Sequence, residues 1–542
     1  MEDSQHQHVA SNQSAHPDIA KLRGRYEEVA YPGHAYRAAH PDRLYAVATC
    51  LGLSPPAPDS ARILELGCGD GMHCLAMATT LPGAQIHGVD LSETILRPGH
   101  GIAQDLALKN LTLQASSLEQ FTSIETTYDY IIAHGVWSWV PQSTRESIFE
   151  IIGSHLSENG VAYVSYNTLP GWNLRGMIRQ AIQWRVRDID SPEEQIAESR
   201  HFVAMMAETV EHREVSHERA WTLAHERFAT ASDAYIFHDY LSPFNEAVHF
   251  LTFIQRANAH GLSYLGEARY GDMLTARSPM PVTGLDTDDE PIHQEQLLDF
   301  IRGRSFRRTL LTHRHQVRHT GLHPLEAIPH LWLTLHGRPT SRPEAEQDVF
   351  ETNDGVVIEC DSDVSRIVLH ALYESHPLPM SFTECLERVR TQISGTEDVE
   401  LASEVACLMT DCFHVGLVDI QPPRNRLARE VEQHPYAYPL ARYQAMHGIS
   451  SVTNYYQQLV HLDSYERTLI GLCDGKRDHE QLLSGLIAAS NSGALRVEIS
   501  GSAMRDADML ESVFQATIDE KLKALHVASL LIQNDDSCDA AA

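Results

Sequence analysis

At 542 residues the chain is too long for a single hydrophobic core, and three or four domains are expected of it. Its 43% hydrophobic and 21% charged residues are those of a folded protein, and 42 basic against 73 acidic side chains leave a formal charge of −31 that argues against a nucleic-acid partner. No apolar run is long enough to span a bilayer, and nine cysteines without a CxxC pair suggest neither disulfides nor a thiolate zinc site, so a cytoplasmic protein with no membrane insertion and no metal is expected.

Residues 1–22 read as a disordered tail, because MEDSQHQHVASNQSAH is polar and lacks the apolar core of a signal peptide. Tyr26 and Tyr31, in RYEEVAYPGHAY, precede the first strand, where a lid over a ligand and simple cap packing are equal expectations. From Ala61 to Asn167 short β-type runs alternate with helical stretches, the rhythm of a doubly wound parallel sheet. The predicted strands are ARILEL (61–66), AQIHGVDL (84–91), LTLQAS (111–116), YDYIIAHG (128–135) and GVAYVSYN (160–167). Residues 173–235 then form a long, charged, helical stretch that interrupts this fold. SPFNEAVHFLTFIQRANAHG (242–261) reads as the next helix, with Ser242 as N-cap, Pro243 at N1 and Gly261 ending it.

LSYLGEA (262–268) and SFRRTLLTH (305–313) are the sixth and seventh strands. Arg302, Arg304, Arg307 and Arg308 crowd around the seventh, and salt bridges within this acidic protein are a better expectation for them than an acidic substrate. His315, His319 and His323 have helical spacing for a metal, but Gly321 and Pro324 break that helix. Beyond His319 two segments share one plan, an apolar helix and then a short strand, at 401–421 and 509–533. Each is preceded by another helix, at 364–375 and 464–475, which predicts two helix-rich, winged-helix-like modules linked by QPPRNR (421–426).

The strongest chemistry lies in ILELGCGDG (63–71). Glu65 stands near the end of a strand, and Gly67, Gly69 and Gly71, with Cys68 among them, form a loop opening a helix. Glycine lets the backbone turn sharply and lets a ligand lie against it. The spacing is GxGxG with an acid two residues ahead, not the GxGxxG of dinucleotide folds. It suits S-adenosylmethionine, which has no pyrophosphate and whose ammonium and carboxylate ask for an acid and backbone amides. Asp90, followed by Leu91, comes at the end of the next strand, where a carboxylate can accept both ribose hydroxyls. The acid expected after strand three to hold the adenine amine is missing, and Ser117 takes its place.

With these residues placed, AHGVWSWVP (133–141), SYNTLPGWNLRGMIR (165–179), FHDYLSPFNEAVHFLTFIQRANAHGLSYLGEA (237–268) and LLDFIRGRSFRRTLL (297–311) resemble the signature blocks of a known family. It is that of class I S-adenosylmethionine-dependent methyltransferases with a methyltransferase regulatory domain, which includes the lysine methyltransferases of rickettsial outer-membrane proteins. The resemblance covers residues 23–320 and, more weakly, 430–480. It implies a Rossmann-like α/β fold, S-adenosyl-L-methionine as cofactor, lysine side chains of a protein as substrate, and a homodimer. The division expected is a methyltransferase domain at 23–172 and 236–318, a helical insertion for dimerisation or substrate at 173–235, a middle domain at 319–425, a C-terminal domain at 426–535 and a tail at 536–542. Trp137 departs from the family, where a tyrosine is expected.

Methyl transfer from a sulfonium is an in-line displacement that depends on alignment and on excluding water. A lysine nucleophile must also be neutral, against an unperturbed pKa of about 10.4, and an aromatic channel favours that form. The carboxyl ends of strands four and five face this position, which nominates His134, Trp137, Tyr166, Asn167 and Trp172, while Trp139 is expected to pack beneath Pro141. His134 is expected to orient or deprotonate the nucleophile, or to hold the cofactor through its backbone; Tyr26 joins the cofactor set as a lid residue. Two alternatives stay open: an O- or N-methyltransferase of a small metabolite, and a scaffold that binds S-adenosylmethionine without turnover.

Overall fold

The structure, a computed structural model, describes residues 17–534 except 126, 211–216, 274–289, 317–323, 341–347, 353–354, 496–497, 500–501 and 504–506. The five predicted runs form parallel strands β1 (Arg62–Leu66), β2 (Gln85–Asp90), β3 (Leu111–Ala115), β4 (Tyr128–Ala133) and β5 (Leu156–Thr168). Every residue of β4 is buried, as a parallel strand covered on both faces must be. Strands β6 (Ala247–Val248), β7 (Leu262–Glu267) and β8 (Phe306–His313) complete the sheet, in the order β3-β2-β1-β4-β5-β8-β7 with β6 beside β5. β8 runs antiparallel between β5 and β7. The chain reverses direction across the sheet between β1 and β4, and an open α/β sheet takes its ligand in the crevice at such a point. This is the Rossmann-like class I fold.

Helices α1 (Pro17–Glu28) and α2 (Pro41–Cys50) precede the sheet, and α3 (Met72–Thr80), α4 (Glu93–Asp105) and α5 (Gln142–His155) pack on it. The expected tail is corrected at its end: residues 17–22 are helical, with Ile19 and Leu22 buried, while 1–16 and 535–542 lie outside the described residues. The insertion comprises α6 (Trp172–Arg185), α7 (Pro192–Val210), α8 (Glu218–Thr230) and the single turn α9 (Asp233–Tyr235), which runs into a π-helical turn at Ile236–Tyr240. It has its own core, formed by Ile182, Val203, Trp221, Phe228, Ile236 and Phe237.

The next helix, α10 (Phe250–Ala259), starts later than the sequence predicts. The Ser242 hydroxyl does not cap a helix; it donates to the Phe244 carbonyl at 3.0 Å and accepts its N–H at 3.3 Å, closing a turn. Ala247 and Val248 are then drawn into the sheet beside Asn167 and Thr168. Gly261 ends the helix as expected, at φ +76°. After α11 (Glu290–Arg302), the fully buried Arg307 meets Glu267 at 2.5 Å, Asp299 at 2.9 Å and Glu295 at 3.1 Å. The expected salt bridges are thus present at Arg307, and Arg304 lies 3.3 Å from Asp299. His315 pairs with Glu158 at 2.7 Å; His319 and His323 lie outside the described residues.

Both winged-helix-like modules are present. The first packs helices Asp363–Ser375, Phe382–Gln392 and Asp398–Val415 on a small sheet of Trp332–Leu335, Met380–Ser381 and Val418–Gln421. The second has helices Ser464–Leu472, His479–Asn491 and Ala507–Val527, with Leu531–Ile532 paired to Tyr436–Ala437. The segment between them is not loose, because Arg424 pairs with Asp42 and donates to the Thr80 carbonyl at 2.9 Å. Among the described residues no helix is long and apolar enough to cross a membrane.

Candidate functional site

A cavity of about 360 Å³ opens at the carboxyl ends of β1, β2, β4 and β5, within the roughly 300–1,000 Å³ usual for small-ligand clefts. Its floor is the glycine loop. Gly67 and Gly69 have φ of +70° and +60°, a region L-residues avoid. A Cβ on Gly69 would meet no atom within 4 Å, so the loop turns bare backbone toward open space, whereas one on Gly67 would come 2.4 Å from Val136. Gly71 does not line the cavity; it is the left-handed N-cap of α3.

Glu65, beneath the loop, is buried between His73 Nδ1 at 3.1 Å and the Cys74 thiol, which donates at 2.9 Å. Asp90 accepts the N–H groups of Gly69 at 2.8 Å and Leu91 at 2.7 Å. Burial raises its carboxyl to about 6 even against these donors. Cys68, Leu91 and Ser117 also line the cavity. An acid does reach the wall two residues beyond Ser117: Glu119, in a single 3₁₀ turn, lines the cavity and accepts a hydrogen bond from Thr144. A strict position count hid it.

The segment before α2 closes the cavity with Tyr26, Tyr31 and Tyr36, which favours the lid expectation over cap packing. Tyr26 stacks on His238 with ring centroids 4.5 Å apart, and Tyr36 lies over His134 at 3.8 Å. His134 Nδ1 is 2.9 Å from the Tyr163 hydroxyl, and burial lowers the ring to about 3. A ring held neutral in this way is a weak base, which favours the orienting role expected of His134 over the deprotonating one.

Three nominations are corrected. Tyr166 and Asn167 are neighbours on β5 and so point to opposite faces. Asn167 lines the cavity, while Tyr166 stacks on Phe253 at 3.8 Å on the far side. Trp137, in a 3₁₀ turn, is wholly buried against Phe149 and Phe253. Trp172 gives its indole N–H to Asn245 at 2.9 Å and stands behind Trp139, with ring centroids 6.0 Å apart. Trp139, expected to be packing, is the tryptophan that lines the cavity.

Sequence reasoning passed over Arg175, which the insertion supplies from α6, and His238 and Asp239, which come from the π-helical turn that follows it. His73, Tyr36 and Phe306 were missed as well. His73 Nε2 and Asn167 Nδ2 are buried in the wall and have no hydrogen-bond partner among the described residues, which suits a polar ligand. No group of three metal-ligating side chains occurs among those residues.

Three family models match the chain: a methyltransferase domain over residues 58–226, a predicted methyltransferase regulatory domain over 232–313, and the C-terminal winged helix domain of PKMT over 433–530. An uncharacterized protein of Rickettsia prowazekii is 27% identical over 509 residues, covering 91% of this chain and 92% of its own. A second protein of that organism is 32% identical over 232 residues, which cover 43% of this chain and 93% of the relative. Among solved structures, PKMT2 from Rickettsia typhi in complex with AdoHcy superposes with a TM-score of 0.80 at 24% identity, over 93% of this chain and 100% of that one.

Proposed function

The chain belongs to the S-adenosylmethionine-dependent methyltransferases that carry a methyltransferase regulatory domain and a winged-helix C-terminal domain, and from this we propose that it methylates lysine side chains of a protein substrate. The observation that carries the reading is the aromatic lining of the cavity around an acid. There Tyr31 and Tyr36 lie within electrostatic reach of an acid, Asp239, and Trp139 and Phe306 line the same cavity, aromatic walls with a carboxylate as a channel for an amine requires. The resemblance in the sequence and the PKMT designation of the matching winged-helix domain support it.

In this assignment the backbone of Gly67–Gly69, with Glu65, holds the amino-acid end of S-adenosylmethionine, Asp90 the ribose, and Ser117 or Glu119 the adenine edge. When bound, the cofactor supplies an electrophilic methyl group on sulfur. The chain's own residues align and desolvate: the tyrosine lid excludes water, and the neutral His134 ring, held by Tyr163 and Tyr36, fixes the wall. Arg175, also in the wall, favours a second reading, a small carboxylate-bearing substrate methylated on oxygen or nitrogen. A homodimer through the insertion is part of the proposal, supported by exposed Leu174, Trp184, Met205 and Leu223 on its helices.

Incubation with methyl-labelled cofactor and cell lysate separates the readings. Label in protein, mapped to lysine, is expected; label confined to extractable small molecules would overturn it.

A further inference from the structure

We propose that Asp239 receives the ammonium group of the incoming side chain, holds it against Tyr31 and Tyr36, and accepts one of its protons. This rests on the lysine reading. Asp239 sits on the π-helical turn Ile236–Tyr240 and lines the cavity that also exposes Gly69 and Asp90. Among the described residues its carboxylate takes part in no hydrogen bond or ion pair, although it is mostly withdrawn from water. A carboxylate in that setting is costly unless a positive group arrives.

The surroundings explain why none arrives from the protein. Arg175, Arg179 and Arg227 on the insertion favour the charged form from a distance, yet burial outweighs them and raises the carboxyl to about 7. Arg179 is engaged with the Ser242 carbonyl, and Arg175 lies over the Trp172 ring at 5.2 Å. The phenols of Tyr26, Tyr31 and Tyr36 on the lid feel the charge of Asp239, as does Tyr235 on its own helix. The neighbouring His238 is lowered to about 4, chiefly by burial, and its Nε2 is 2.6 Å from the Val29 carbonyl, so it brings no charge near pH 7.

The proton step balances within this pair. An N–H bond of the ammonium breaks and leaves its electrons on nitrogen as the lone pair, and an O–H bond forms on Asp239, which returns the proton to solvent. In water the transfer is uphill, from an amine of pKa about 10.4. Away from water, two charges become two neutral groups, and desolvation favours that direction.

The test uses the full-length protein saturated with S-adenosylhomocysteine and two probes, n-butylammonium and butyrate, read by calorimetry. Butylammonium is expected to bind, several-fold more tightly at pH 8 than at pH 6 as Asp239 ionises, with butyrate weaker. Asp239→Asn should weaken butylammonium at least tenfold, and Asp239→Glu should restore part of it. Unchanged affinity in Asp239→Asn, or butyrate binding better than butylammonium, overturns the proposal. If wild type and Asp239→Asn label protein lysines at equal rates, the Asp239 role fails while the lysine reading stands. If wild type labels no lysine but binds butylammonium through Asp239, the amine site stands and the lysine reading fails.

Discussion

The Asp70 carboxylate accepts the backbone N–H of Gly33 at 3.0 Å with one oxygen and that of Met72 at 3.0 Å with the other. One side chain of the glycine loop therefore starts α3 and pins the tyrosine lid to the floor. Gly33 is held so closely that a Cβ there would lie 1.9 Å from Asp70 Oδ1.

Removing either partner should release the lid. Asp70→Ala is expected to weaken S-adenosylmethionine binding by about 1–3 kcal/mol, the cost of a lost charged hydrogen bond, and to make residues 17–36 more susceptible to limited proteolysis. Gly33→Ala should do the same by steric means. Calorimetry and proteolysis check both, and wild-type affinity in the two variants would show that the lid contributes nothing to the cofactor.

The floor itself makes a second pair of variants informative. Asp90→Ala should cost about 1–3 kcal/mol of cofactor affinity through lost charge-assisted hydrogen bonds. Gly69→Val should cost more, since its φ of +60° strains any branched residue and its side chain would stand in the cavity. Circular dichroism on both variants separates loss of binding from loss of fold.

The sheet and its glycine loop were legible in the sequence because alternating apolar runs and GxGxG are local patterns. What was not legible depends on contacts remote in the chain. Asp239 and His238 reach the cavity because a separate helical body folds back over it, and no spacing near Glu65 or Asp90 encodes that. Trp137 and Tyr166 were misassigned for a different reason: position at a strand end is visible, but the face a side chain takes there is set by a 3₁₀ turn and by register with β8. The start of α10 was lost to one hydroxyl, that of Ser242, which bonds Phe244 instead of capping.

Arg307 anchors the regulatory region with three carboxylates and no exposure to water. Arg307→Met should leave Glu267 buried without its counter-charge and Asp299 and Glu295 with Arg304 alone, and destabilise the protein by about 3–5 kcal/mol. Urea unfolding checks this, and a loss under 1 kcal/mol would mean that the carboxylates simply take up protons. Their partner's removal should then be felt most at high pH.

The insertion leaves Trp184 62% and Leu174 58% exposed, side chains a monomer gains nothing by displaying. Sedimentation at micromolar concentration should give twice 60.6 kDa, and Trp184→Glu with Leu223→Glu should shift it toward one copy. A wild-type mass of 60.6 kDa would remove the dimer from the proposal.

The pH dependence of stability gives an independent reading of Asp239. Its folded-state carboxyl is raised to about 7, above the roughly 3.9 of an unfolded aspartate, so the folded state holds this proton more tightly. Stability from the group is therefore greatest at low pH and falls as pH rises through about 7. His134 and His238, lowered to about 3 and 4, act in the other sense, costing stability as pH falls below about 6.5. They are present in both proteins and largely cancel in a comparison of wild type with Asp239→Asn. That difference should be near zero at pH 4 and favour the variant by about 1–2 kcal/mol at pH 8, a residue kept for function at the expense of stability. Thermal unfolding from pH 4 to 8.5 measures it. A variant less stable than wild type at pH 8 would mean that the carboxylate serves Arg175, Arg179 and Arg227 as their counter-charge and is not held in reserve for a substrate amine.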